Sequence, residues 1–167
     1  MLRKRRGKRL PIGCLGAVVL LMLVIAWFTW RGGSAMVASS DSDAALATVE
    51  QFYKFEQSGD FGSAWELFHP LMQQRFEKAA YIQKRAHIMM QDFGVKTFDF
   101  EAGTPQRLAG WKMSNDAPEM ENVVEVEVKQ QFHSPYGDFE IVQPCFVSKD
   151  SGTWKLLWSY QGGTAAH

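Results

Sequence analysis

The sequence predicts an α+β domain, helices first and strands second, mounted behind an N-terminal membrane anchor. Three observations carry that reading. Apolar residues recur at helical spacing from about Leu46 to Phe93. After Gly94 the period changes to alternation, clearest in Val124-Glu125-Val126-Glu127-Val128-Lys129, with valines on one face and charges on the other. Ahead of both, residues 10–30 contain no charged side chain.

At 1.5 Å rise per residue that uncharged stretch reaches about 31 Å, the thickness of a bilayer's hydrocarbon core. Trp27 and Trp30 stand at its far end, where amphipathic rings favour the membrane interface. The tail 1–9 is basic, with Arg3, Lys4, Arg5, Arg6, Lys8 and Arg9, and is expected to stay cytoplasmic. The remainder then faces outward, as a single-pass protein of the cell membrane. A cleavable signal peptide has a shorter apolar stretch, so a retained anchor is the reading. Lipidation at Cys14 would require the apolar stretch before the cysteine, whereas here it follows.

The formal net charge of zero conceals an asymmetry. Seven basic and no acidic residues lie up to Arg31, which leaves 11 basic against 18 acidic beyond it, a net of −7. Such a domain repels phosphate backbones, so nucleic acid is not an expected partner. The two cysteines, Cys14 and Cys145, fall on different sides of the organisation, which excludes an intramolecular disulfide and a cysteine zinc site. An outer domain without disulfides suits a bacterium better than an animal secretory pathway.

Residues 31–42 are small and polar and read as a linker, 43–160 as the folded domain, and 161–167 as a flexible tail. Within the domain, Ser42 or Asp43 is placed to cap a first helix carrying Leu46, Val49, Phe52 and Tyr53, ended by Gly59. A second helix covers Phe61–Phe68 and is stopped by Pro70, with a further turn over Leu71–Phe76. A third covers Glu77–Phe93, closed by Gly94. Strands follow at Val95–Phe100, Arg107–Met113 and Val124–Lys129. Pro135-Tyr136-Gly137-Asp138 then turns into Phe139–Ser148, and Asp150-Ser151-Gly152 into Thr153–Trp158. The last three strands form an antiparallel meander.

The stretches Ala47-x-x-x-x-Phe52-Tyr53, Gly59-Asp60-Phe61-x-x-Ala64-Trp65-x-Leu67 and Gly152-x-Trp154-Lys155-Leu156-x-Trp158 resemble the nuclear transport factor 2-like superfamily of cone-shaped α+β domains. The resemblance spans most of 43–160. It is especially similar to membrane-anchored bacterial versions, such as the domain preceding the transpeptidase in some penicillin-binding proteins. Bitopic subunits of conjugation and secretion machines have a comparable layout. The resemblance implies helices packed on a curved antiparallel sheet. The superfamily holds enzymes, binding domains and assembly domains, so the fold does not fix the function.

An isomerase-like member needs an Asp, Glu or His facing into the cone. His69 before Pro70 reads as a cap on a carbonyl or a surface residue, and His87 and His133 as exposed. His87 and Asp92, five apart, fall on different sides of an α-helix. Glu125 and Glu127 alternate with the valines and fall on the outer face, or line the concave face if the valines pack the other way, where a buried carboxylate could serve as a base. The loop Ser114–Asn122 is a solvated acidic loop. No phosphate-binding loop, nucleophile elbow or zinc-helix motif occurs, and no catalytic residue, metal or cofactor is assigned. Candidate lining residues for an apolar pocket are Trp65, Tyr81, Phe98, Trp111, Phe132, Trp154 and Trp158, which also suit a plain core. The expected function is non-catalytic: contact with lipid through 10–30 and engagement of an envelope protein by the outer domain, with a homodimer through the sheet face compatible. A small apolar ligand is the alternative, and an isomerase or cyclase activity the third reading.

Overall fold

The computed structural model describes residues 40–159. The anchor expected at 10–30, the tail 1–9, the linker up to residue 39 and residues 160–167 lie outside them. No helix among the described residues is long and apolar enough to cross a membrane. The architecture is α+β, with four helices packed on a curled antiparallel sheet.

Helix α1 covers 40–57 of the described chain and buries the stripe Ala45, Val49, Phe52 and Tyr53. Ser42 and Asp43 do not cap it, contrary to expectation, because the backbone is already helical at residue 40. Asp41 instead ties this turn to the sheet through Lys149 Nζ at 2.8 Å and Arg107 Nη2 at 3.6 Å. The Lys149 hydrogen bond is the main reason its carboxyl sits below its ordinary pKa. Gly59, with φ of +77°, ends the helix, since a left-handed turn there favours a residue without Cβ.

Helix α2 spans Phe61–Glu66, with the Asp60 carboxylate accepting from the Ser63 amide. It stops short of the expected Phe68 because Leu67–His69 is drawn into the sheet. The Leu156 amide donates to the Leu67 carbonyl, and the His69 amide to the Leu156 carbonyl. Pro70 consequently opens helix α3, Pro70–Arg75, rather than merely closing α2. His69 Nδ1 accepts from the Leu71 amide at 3.2 Å, so this histidine caps an N–H and not a carbonyl. Burial lowers its pKa, which keeps the accepting nitrogen unprotonated.

Helix α4, Lys78–His87, is capped by the Glu77 carboxylate, which accepts from the amides of Ala79 and Ala80. Its continuation, Ile88–Asp92, is a π-helical turn. The sequence predicted an uninterrupted helix to Phe93. Widening by one residue brings positions five apart into line. His87 Nε2 therefore lies 3.5 Å from Asp92 Oδ1, a pair that ordinary helical spacing excluded.

Five strands follow: β1 (Asp99–Ala102), β2 (Gln106–Trp111), β3 (Met120–Ser134), β4 (Gly137–Asp150) and β5 (Thr153–Leu157). The expected strand at Val95–Phe100 begins only at Asp99. The reason is that its backbone bonds outside the sheet, the Val95 amide donating to the Met89 carbonyl and Gln57 Nε2 to the Phe98 carbonyl, while Thr97 Oγ1 donates to the Gln57 carbonyl. β1 and β2 lie end to end along β3, one on Val128–Gln131 and the other on Met120–Glu125. Between them the Gly103 amide donates to the Glu127 carbonyl, and a Cβ on Gly103 would sit 3.2 Å from that oxygen. β3 starts earlier than expected, so Met120–Asn122 belong to it and not to the acidic loop.

The predicted meander β3–β4–β5 is present. On β3, Val124, Val126, Val128 and Phe132 are buried towards the helices, while Glu127, Lys129, Gln131 and His133 face out. The concave side is filled by rings. Phe68 meets Trp158 at 5.0 Å and Tyr81 at 5.1 Å, and Phe132 stacks on Phe139 at 4.9 Å.

Leu156 is fully buried and carries the backbone link to Leu67 and His69. Leu156→Ala should cost about 2–5 kcal/mol, because the transfer term and the residual cavity add. Urea denaturation followed by circular dichroism measures it.

Candidate functional site

Glu56 continues the buried stripe of α1, one turn beyond Phe52, and its carboxylate is fully enclosed. A charge taken out of water is tolerated only with a partner and saturated hydrogen bonds. Helix α4 supplies both. Tyr81 Oη donates to Glu56 Oε1 at 2.7 Å, and Arg85 donates to Oε2 through Nε at 2.6 Å and through Nη2. Tyr81 and Arg85 are four apart and so lie on one helical face, which lets a single carboxylate receive both.

Burial opposes the positive charge of Arg85, but Glu56 and Tyr81 overcome it, so the guanidinium is held above its ordinary pKa. Burial first, then the Glu56 charge, pushes the Tyr81 phenol well above its ordinary 10.0. Tyr81 therefore keeps its proton as a donor and Arg85 its positive charge, both directed at the Glu56 oxygens. A carboxylate in this setting is a poor general base, since protonating it would strand Arg85 as a buried, unpaired cation.

Beside the trio, Tyr53 Oη lies 3.1 Å from Cys145 Sγ. Burial pushes the Cys145 thiol up to about 12 and the Tyr53 phenol well above 10.0. The Trp158 indole N–H is buried and reaches no acceptor at hydrogen-bond geometry, although it is near enough to the Cys145 sulfur to favour its thiolate. A thiol so enclosed is chemically inert.

Tyr81 and Arg85 of the trio border a cleft of about 470 Å³ between α3, α4 and the end of β5, within the range of small-molecule sites. Phe76, Tyr81, Ile88 and Trp158 give it apolar walls, and Arg75, Lys84, Arg85 and Glu77 supply its charges.

The seven candidate pocket residues do not converge. Tyr81 and Trp158 line the cleft, and Trp65 stands behind it, its Nε1 donating to the Phe76 carbonyl at 2.7 Å. Phe98 and Phe132 pack together at 5.2 Å in the other ring cluster. Trp111 stacks on Phe146 at 4.3 Å. Phe146 alternates with Cys145 along β4, so this stack lies on the sheet face turned away from Tyr53. Trp154 lies under Lys149 Nζ at 5.0 Å, beside the Asp41–Arg107–Lys149 cluster. His133 is exposed between Asp138, at 3.0 Å, and Asp99, at 3.9 Å. Among the described residues, no three His, Cys, Asp or Glu side chains are grouped to hold a metal ion.

Sequence reasoning missed Glu56 and Arg85. The signal was present, since Val49, Phe52, Tyr53 and Glu56 follow the i, i+3, i+4, i+7 pattern of one helical face. No protein-family model matches this sequence, and no curated protein matches it as a relative.

Removing one member of a buried pair exposes the other to the full desolvation cost. Glu56→Ala should therefore destabilise the domain by about 3–5 kcal/mol, and Glu56→Leu with Arg85→Met together by less than the two singly. A double-mutant cycle by denaturation reads this directly.

A pH effect follows from Cys145. The unfolded thiol ionises near 9.0 while the buried one holds its proton to about 12, so the folded state binds more protons between these values. Stability should fall as pH rises above about 9, and Cys145→Ala should flatten the start of that fall. Thermal melts at pH 7–11 test it.

Proposed function

We propose that this chain is a non-catalytic binding domain of the nuclear transport factor 2-like kind, held at a membrane by residues 10–30 and engaging another protein of the cell envelope. The observation that carries it is the saturation of Glu56. The one fully buried carboxylate among the described residues is locked by Tyr81 and Arg85, where an isomerase would need a free base facing its substrate. The helices on a curled sheet suit the cone-shaped type, and the charged and uncharged stretches of the N-terminus suit a cytoplasmic tail followed by an anchor.

The outer sheet face is the surface for the protein partner. Glu127 and Lys129 stand there beside Pro144 and the exposed Val142, opposite them on β4. Charges interspersed with apolar side chains give register and specificity to a protein contact. A second reading, a small-ligand domain, is favoured specifically by the cleft bordered by Tyr81 and Trp158.

Full-length protein extracted gently from its native membrane should carry a stoichiometric protein partner in native mass spectrometry. Glu127→Lys with Lys129→Glu should remove that partner and leave the circular dichroism melt unchanged. Retention of the partner by the double variant would count against the assignment of this face.

A further inference from the structure

We infer that the cleft between α3, α4 and the end of β5 binds an amphipathic anion: an apolar body carrying one carboxylate or phosphate head. The inference rests on the small-ligand reading and names its ligand class.

The walls decide the body. Phe76, Tyr81, Ile88 and Trp158 offer ring faces and an aliphatic side chain, and such surfaces gain by excluding water. The rim decides the head. Arg75, Lys84 and Arg85 place three cations around one opening, in a domain that carries 18 acidic residues against 11 basic ones beyond Arg31. The acid of the rim, Glu77, already accepts from the amides of Ala79 and Ala80. Three cations against Glu77 and the enclosed Glu56 leave the rim with a net positive charge, which favours a ligand anion over a ligand cation.

Arg85 is the fixed element. Its Nε and Nη2 are held by Glu56, and Tyr81 holds the other oxygen of that carboxylate. The guanidinium is thus oriented before a ligand arrives, with donors beyond those given to Glu56. A planar donor group held in place binds a carboxylate or phosphate with little further ordering cost. The other depressions lack this combination. The one over Glu125 and Glu127 is acidic, and the one at Asp41 is occupied by its own ion pairs with Arg107 and Lys149.

The test uses full-length protein in phosphatidylcholine nanodiscs, with empty nanodiscs subtracted, titrated calorimetrically with octanoate, octanol and octyltrimethylammonium. Octanoate should bind saturably and the other two at least about tenfold more weakly, with Lys84→Glu weakening octanoate by about tenfold. Ala80→Trp, which fills the cleft from an exposed helical position, should abolish binding while the melt stays unchanged. Equal binding of octanol and octanoate, both lost in Ala80→Trp, would overturn the anionic class and leave the ligand reading standing. No saturable binding of any of the three would overturn both. If nanodiscs containing phosphatidylglycerol compete with octanoate, the source of the head group is membrane lipid; if they do not, it is a soluble acid.

Discussion

The rest of the domain is arranged around a carboxylate with no access to water. Glu56 needs opposite charge and hydrogen-bond donors, and α1 cannot supply them from its own turn. Arg85 and Tyr81 must come from α4, so α1 and α4 have one workable register. That register places Phe68 and Trp158 against Tyr81, and these rings fill the space between the helices and the sheet. An apolar residue at position 56 would pack with less electrostatic demand, but it would leave the relative setting of the two helices less defined. The polar lock and the aromatic fill are thus coupled, since shifting either helix would break the first and open the second.

The order of elements was legible because the two periodicities differ sharply. Val124 to Lys129 alternates so regularly that strand, face and burial all follow from it, and Val124, Val126 and Val128 are fully buried. What was hidden depended on partners distant in sequence. The Phe61–Phe68 pattern continues helically on paper, yet Leu67–His69 leaves the helix for Leu156, almost ninety residues away. The alternation of Val95–Phe98 suggests a strand, yet the Val95 amide bonds Met89 and the Phe98 carbonyl bonds the Gln57 side chain. Local propensity was overruled in both places by a tertiary hydrogen bond.

The candidate site was legible only in part. Tyr81 and Trp158 stood out as aromatics, but neither spacing nor composition distinguished them from Trp111, which packs on the opposite sheet face. Glu56 looked like one more charged helical residue. Its position on the apolar stripe of α1 was the available clue, and Arg85 became its partner only through the packing of α4. The π-helical turn at Ile88–Asp92 was not legible, because a single widened turn at the end of a helix leaves too few residues after it for a shift of phase to show in the hydrophobic pattern.

The segment Leu67–His69 has a consequence for how copies of this domain can meet. By bonding to Leu156 it lies along the border of the sheet formed by β5, where an unpaired strand would otherwise invite another chain. Among the described residues, the opposite border, formed by β1 and β2, is bonded to β3 and to no further strand. An antiparallel meeting of two copies through β1 and β2 would relate them by a two-fold axis, whereas at Leu156 the place of a neighbouring strand is already taken from within the chain.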